Sequence, residues 1–257
     1  MSHYQQIEFC KLFKNEFFES KKISILELGS YDVNGSIRTI FDNTSKYIGL
    51  DLIKGPGVDI VYDGKDIPIN QEFDLCISCE CFEHNPNYFE NFLKMIELAK
   101  KDGLVVFTCA TIGRSEHGTT DSDLKSSPGS MEKWNYYKNL KKSHFTKRIN
   151  LAKFFYKFLF FENYISKDLY FIGIKSKQYE RNLLNFRNKI LSKNTLVLDL
   201  NLTLRQIIIK KIKFLIDKIL PSIIGDFLTR KIRIKLLKIY KYILAKTTKS
   251  ENKVKTK

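Results

Sequence analysis

Apolar residues recur along the chain at two different periods. Over residues 4–20 they fall at Ile7, Phe9, Leu12, Phe13, Phe17 and Phe18, roughly helical spacing that closes on Lys21-Lys22 and predicts a first helix. Short continuous runs follow: ISILELGS from Ile23 to Ser30, YIGLDL from Tyr47 to Leu52, VDIVYD from Val58 to Asp63, FDLCISC from Phe73 to Cys79, and GLVVFTCA from Gly103 to Ala110. Runs of this length, bounded by turn residues, read as strands buried on both faces. The loop YDVNGS leads into a helix expected around Ile37 to Phe41. Phe89, Phe92, Leu93, Ile96 and Leu98 or Ala99 trace one face of a helix over Asn87 to Lys101. Strands alternating with helices predict an α/β fold, a parallel sheet covered on both faces.

Residues 111–144 are polar and rich in Gly and Ser. A helix is expected from about Thr146 to Phe158, then two strands, NYISKDL and YFIGIKS, so close together that they should form a closing antiparallel hairpin. From residue 179 the pattern changes: apolar residues are spaced between lysines, as in IIIKKIKFLIDKIL and RKIRIKLLKIYKYILAK, which predicts basic amphipathic helices over 179–250. Residues 251–257 are expected to be disordered, as is the terminus carrying His3. There is no internal repeat.

Charge sharpens this division. The 257 residues carry a formal net charge of +16, and residues 201–257 alone hold sixteen Lys or Arg against three acids. The body is therefore nearly neutral and the basicity belongs to the tail, whose partner should be an anionic surface, either nucleic acid or acidic lipid. The N-terminus has acids and no apolar core, so no secretory signal is expected, and no run reaches the ~18 apolar residues of a membrane span. Three of the five cysteines, Cys76, Cys79 and Cys81, crowd one apparent strand, which suits a reducing cytoplasm better than a disulfide framework. Cys76-x-x-Cys79 lacks the second pair that a zinc knuckle needs.

In an open parallel sheet, ligands bind at the carboxyl ends of the strands. The first such end is Glu27-Leu28-Gly29-Ser30, continuing to Asn34-Gly35, where glycine lets a ligand approach the backbone. The dinucleotide pattern G-x-G-x-x-G is incomplete there. Asp51 closes the second strand, where a carboxylate suits ribose hydroxyls, and Asp63-Gly64 closes the third, where contact with an adenine ring fits. The fourth strand runs into Glu80-Cys81-Phe82-Glu83-His84.

With this order of residues the chain resembles the class I S-adenosylmethionine-dependent methyltransferases over about residues 20–175. The resemblance implies a Rossmann-like, mostly parallel sheet with an antiparallel last strand, in a domain over residues 1–178. It implies that Glu27, Gly29, Ser30, Asn34 and Gly35 surround the methionine part of S-adenosyl-L-methionine. Asp51 with Leu52 would bind its ribose, Asp63 with Gly64 its adenine, and Ser78 would complete the set. Ser30 departs from the second glycine usual in the family.

If the chain turns helical after Cys79, Glu80, Glu83 and His84 lie at i, i+3 and i+4 on one face, an oxygen-rich set suited to Mg²⁺, Mn²⁺ or another borderline divalent ion. Glu-x-x-Glu-His is similar to the motif of metal-dependent O-methyltransferases that act on adjacent hydroxyls, among them small-RNA 3′-terminal ribose methyltransferases and ubiquinone-pathway enzymes. In the RNA group a further histidine follows the fifth strand, and His117 stands in that region, with Glu116 and Asp121 as substitute ligands. The competing reading is that Glu83-His84 merely opens a helix. His117 and His144 are the candidate catalytic bases, and Trp134-Asn135-Tyr136-Tyr137 either walls an acceptor pocket or pins a lid.

The segment around TCATIGRSEHGTT also looks like that of bacterial methyltransferases associated with surface polysaccharide. The expectation is an O-methyltransferase for a sugar or sugar-nucleotide hydroxyl in capsule or lipopolysaccharide synthesis, cytoplasmic, with its tail either on the anionic inner membrane face or packed on the body or in a homodimer. The alternatives are an RNA ribose 2′-O-methyltransferase and a non-catalytic adaptor.

Overall fold

The computed structural model describes residues 3–62, 67, 69–122, 125–193 and, for the backbone, 197–199. Asp63-Gly64, the basic helices expected beyond residue 200 and the tail at 251–257 lie outside the described residues. The chain divides after Asn201 into two compact units, and every element below belongs to the first.

In chain order the elements are α1 (Tyr4–Phe17), β1 (Ile23–Leu28), β2 (Thr44–Asp51), β3 (Ile60–Val61), β4 (Phe73–Cys79), α2 (Tyr88–Leu98), β5 (Ala99–Ala110), α3 (Pro128–Lys133), α4 (Lys142–Thr146), β6 (Lys157–Asn163), β7 (Asp168–Ile174), α5 (Glu180–Lys193) and β8 (Val197–Asp199). They build one eight-stranded sheet ordered β3-β2-β1-β4-β5-β7-β6-β8. β1 to β5 run parallel, whereas β7 is antiparallel to β5 and β6 to β7. The mostly parallel sheet with an antiparallel end is the architecture the sequence predicts. Strand order reverses between β1 and β4, which opens a crevice at their carboxyl ends.

The strands are apolar throughout because each side chain meets a covered face. Leu26, Leu28, Cys76, Val105 and Phe107 pack with Phe92 and Met95 of α2 and with Phe145 and Phe155. Ile25, Leu75, Ile77, Leu104 and Val106 pack on the other side with Phe9, Phe13 and Phe17 of α1 and Leu183, Phe186 and Ile190 of α5.

Five expectations change. The helix expected at 146–158 is only α4 and a single 3₁₀ turn at Leu151–Lys153, and KFLFFEN is strand β6. Phe160 and Phe161 are both fully buried, on opposite faces of the sheet, as a strand covered on both sides requires. The hairpin therefore pairs β6 with β7, one run earlier than expected, across a turn at Tyr164–Lys167. The helix at Ile37–Phe41 is one 3₁₀ turn over Ile37–Thr39, and VDIVYD contributes only Ile60–Val61 as strand. Finally α5, expected to begin the basic extension, packs on α1 through Phe186 against Phe9, 5.5 Å between ring centres, and through Asn182 Nδ2 donating to the Glu16 carbonyl at 2.6 Å.

Phe107 is the centre of the α2-side core: it stacks on Phe171 at 5.1 Å and lies 4.6 Å from Phe145. Truncation leaves a cavity among rigid rings, so Phe107→Ala should lower unfolding free energy by about 3–5 kcal/mol in urea titration. A loss below about 1 kcal/mol would show that this core repacks freely.

Candidate functional site

A narrow cleft opens where β1, β2 and β4 end. Gly29, Tyr31, Asp51, Leu52, Glu80 and Cys81 line it together with His84, Asn85, Ser127, Gly129 and Trp134. The first turn is drawn tight by the Gly29 and Ser30 amides, which both donate to the Leu50 carbonyl at 2.9 and 3.0 Å. Gly29 has φ +78, and a Cβ there would come 2.4 Å from Cys81 Cβ, so glycine is what lets the two strand ends touch. Asp51 accepts the Tyr31 and Leu52 amides at 2.9 and 2.7 Å, while burial pushes its carboxyl up from the usual range.

Of the residues expected to hold a cofactor, Gly29, Asp51 and Leu52 line this cleft. The other described ones are not among its lining residues. Glu27 is buried and accepts the Tyr47 hydroxyl at 2.7 Å. Ser78 donates to the Leu28 carbonyl at 3.0 Å, tying β4 to β1. Gly35 donates its amide to Asp32 Oδ1 at 2.6 Å beside exposed Asn34. Ser30 is buried with its hydroxyl unpartnered, wedged where Gly49 and Gly57 leave room for it.

The expected single face of Glu80, Glu83 and His84 does not form. Glu80 takes a left-handed conformation, φ +52, and only Phe82–His84 makes a 3₁₀ turn. The ligating groups divide into two clusters, Glu83 with His84 and His117, and Glu80 with His3 and Asp168; within each cluster the donor atoms lie within 4.8 Å of one another.

In the first cluster, Glu83 Oε1 accepts the Ala110 amide at 3.2 Å and its Oε2 is buried without a partner. Burial, reinforced by the charge of Glu80, pushes the Glu83 carboxyl up to about 8. Both ring nitrogens of His84 are buried and unpartnered, and burial, with His117 adding to it, holds the imidazole neutral by lowering it to about 3. His117 Nδ1 lies 3.0 Å from the Ser115 carbonyl, which places the hydrogen on Nδ1 and leaves the buried Nε2 as a free lone pair. The His84 and His117 rings meet edge to face at 4.8 Å, and Tyr137 lies 5.4 and 4.9 Å from them. Trp134 Nε1 donates to the His84 carbonyl at 2.7 Å, so Trp134 both lines the cleft and pins this turn.

The second cluster was not legible in sequence. His3 is an ordered residue that caps α1: its Nδ1 accepts the Gln6 amide at 3.4 Å and its Nε2 lies 3.1 Å from Asp168 Oδ2 and 3.6 Å from Glu80 Oε2. Burial opposes its charge, but the two carboxylates raise it to about 10. Burial likewise opposes ionisation of Glu80, and His3 and the Thr108 hydroxyl, 2.8 Å from Oε1, outweigh it to hold the carboxyl at about 2. Buried acids at strand ends were the available signal for this cluster, and Asp168 lay inside a run read only as strand.

His144 is not in the cleft. Its Nδ1 accepts the Lys141 amide at 3.0 Å and closes the first turn of α4, so the residue type that suited a base serves as a cap. Glu116 accepts the Thr119 hydroxyl at 2.6 Å, and neither it nor exposed Asp121 joins a cluster.

No protein-family model matches the chain, and no curated protein matches it. Solved structures do. A S-adenosylmethionine-dependent methyltransferase from Clostridium acetobutylicum ATCC 824 is 14% identical at TM-score 0.35, with 43% of this chain and 52% of that chain covered. The 1,6-didemethyltoxoflavin-N1-methyltransferase of Burkholderia thailandensis is 10% identical at TM-score 0.46, covering 67% and 79%. The N-methyltransferase NodS of Bradyrhizobium japonicum WM9 is 11% identical at TM-score 0.42, covering 65% and 85%. This chain thus spans about half of the first of them, 52%.

Glu27 makes a pH prediction. Burial raises its carboxyl from 4.5 to about 7, so between those values the folded state holds a proton that the unfolded state has lost, and stability falls as pH rises through that window. Glu27→Gln keeps an acceptor for Tyr47 without the buried charge. It should melt higher than the parent at pH 8, by an amount equivalent to about 2–3 kcal/mol at most, with the gap closing towards pH 4.5. Equal melting at both pH values would remove Glu27 as a buried titrating group.

Proposed function

We propose that the chain is an S-adenosylmethionine-dependent O-methyltransferase in which Glu83, His84 and His117 hold a divalent ion at the cleft. One observation carries the metal. Glu83 Oε2, His84 and His117 Nε2 converge while buried and unpaired, and buried polar atoms left without partners call for something to satisfy them. A carboxylate and two imidazoles fit a borderline ion such as Mn²⁺ better than Mg²⁺, which prefers an all-oxygen shell.

The cofactor supplies an electrophilic methyl group on its sulfonium, and the ion, when bound, lowers the pKa of a coordinated hydroxyl. The residues of the chain do the positioning. Gly29 leaves the backbone bare at the first strand end, and Asp51 places a carboxylate where ribose hydroxyls can donate to it. Neutral His84 and His117 present lone pairs rather than charge, and the Ser115 carbonyl orients His117. Trp134 lines the cleft and Tyr137 packs on the His84 and His117 rings, where they would help hold an acceptor hydroxyl beside the methyl group.

The acceptor we propose is a hydroxyl of a sugar or sugar-nucleotide used in capsule or lipopolysaccharide synthesis. It is supported by the resemblance of the segment around Arg114–Thr120 to polysaccharide-associated methyltransferases. Among the described residues no helix is long and apolar enough to cross a membrane. The concentration of positive charge beyond residue 200 supports peripheral contact with an anionic membrane.

Transfer of labelled methyl from S-adenosylmethionine to nucleotide sugars, polysaccharide fragments and short RNAs tests the proposal. Sugar methylation should fall on the order of 100-fold with chelator, return with Mn²⁺, and fall similarly in His117→Ala. Chelator-resistant transfer would reduce Glu83-His84 to a helix-start motif, and transfer to RNA alone would replace the acceptor.

A further inference from the structure

Glu80 is held in a conformation that residues with a side chain seldom adopt. Its φ is +52, it lies on the cleft wall, and it is nearly inaccessible, 1% exposed at its side chain. Such a residue stays put only when its surroundings over-determine it. Three contacts do so: the Glu80 amide donates to the Thr108 carbonyl at 2.9 Å, the Thr108 hydroxyl donates to Oε1 at 2.8 Å, and His3 Nε2 stands 3.6 Å from Oε2. The first two come from the neighbouring strand β5. The third comes from the far end of the sequence order, the N-terminus of α1.

His3 is itself fixed. Its carbonyl accepts the Ile7 amide at 3.0 Å, and its Nδ1 lies 3.2 Å from Gln5 Oε1 and 3.4 Å from the Gln6 amide, while Nε2 faces the two acids. An Nε2–H set against two carboxylates makes the trio a donor between two acceptors rather than a set of three lone pairs awaiting an ion. Asp168 anchors the other side of the ring: Tyr170 donates to its Oδ2 at 3.2 Å, and Arg114 Nη1 lies 3.5 Å from its Oδ1. Asp168 is paired across β5, opposite Ala110, and Glu80 follows the β4 residue opposite Thr108. The His3 ring therefore bridges over β5 between two buried carboxylates that would otherwise repel each other.

We propose that His3 is a positioning residue for the cleft, a latch by which the N-terminus of α1 holds Glu80 and, through it, the turn that carries Cys81, Glu83 and His84. The consequence follows the chain. Cys81 rests on Gly29, so the turn after β4 and the cofactor loop after β1 move together or not at all. Releasing Glu80 frees the part of the cleft lining that Glu80, Cys81 and His84 provide. The cofactor half of this inference rests on the methyltransferase proposal; the latch itself does not.

The two roles of His3 separate by substitution. His3→Asn keeps a good helix cap but is too short to reach Asp168 and Glu80, whereas His3→Gln restores an amide donor at about the reach of Nε2. Hydrogen exchange on the full chain should show residues 80–85 exchanging at least tenfold faster in His3→Asn, with α1 and the β6–β7 hairpin unchanged, and protection regained in His3→Gln. Affinity for S-adenosylhomocysteine, measured by calorimetry, should fall about tenfold and recover in parallel. Unchanged exchange at 80–85, or a uniform rise across the chain, would overturn the latch and leave His3 as a cap. If His3→Asn does not fold, His3→Gln carries the test alone, and loss of its protection at 80–85 overturns the role given to Nε2. A parent protein that binds no S-adenosylhomocysteine overturns the cofactor half, while the exchange comparison still decides the latch.

Discussion

The turn at Glu80 is the constraint on which the cleft depends. A parallel strand that ended in an ordinary helical turn would carry Glu80, Glu83 and His84 outward together on one face. The left-handed residue instead reverses the path at once. Phe82 is driven into the core against Phe107 at 5.1 Å, Cys81 is laid on Gly29, and Glu83 and His84 are turned under the segment that brings His117. The same reversal separates Glu80 from the two residues it accompanies in sequence. One short stretch thus supplies two clusters of different character.

The two clusters show opposite solutions to burying charge. Around Glu80 every buried acid has a basic neighbour: His3 lies near both carboxylates, and Arg114 lies near Asp168. Such a closed group gains rigidity, and removing one member leaves a charge stranded, at about 3–5 kcal/mol. Around Glu83 no salt bridge forms among the described residues, and its near neighbours are the two histidines. Its carboxyl is pushed towards the neutral form, both histidines are pushed the same way, and four polar atoms lack partners. A fold tolerates a group in that condition where binding compensates it, which is why the open cluster, and not the closed one, reads as the site.

What sequence could disclose follows from range of interaction. The central strands and the crevice were legible because a strand buried on both faces must be apolar and must end in turn residues, a local rule that ISILELG and FDLCISC both obey. Gly29 and Asp51 were legible for the same reason. β6 was not, because the helix expected to run to about Phe158 took in its first residues, and Phe160 and Phe161, buried on opposite faces, break the alternation that marks a half-buried strand. His3 could not be read at all: its partners are 77 and 165 positions away by residue number, and nothing local distinguishes a capping histidine from a frayed end. His144 erred in the other direction, since a histidine near a polar loop suits a base and a cap equally.

The glycines finish the argument that the cleft is assembled rather than incidental. At Gly29 an added methyl group would strike Cys81, and at Gly118, φ +68, it would fall 2.9 Å from His84 Cε1 and 2.7 Å from Ser127 Cβ. Gly29 stands where the loop after β1 meets the turn after β4, and Gly118 follows His117 in sequence and lies against His84. Both combine a positive φ with a contact too close for any side chain, so neither conformation nor space tolerates replacement. Backbone freedom is thus spent at the two approaches that bring unpaired donors together, and a loop with no task for His84 and His117 would have no physical need of either.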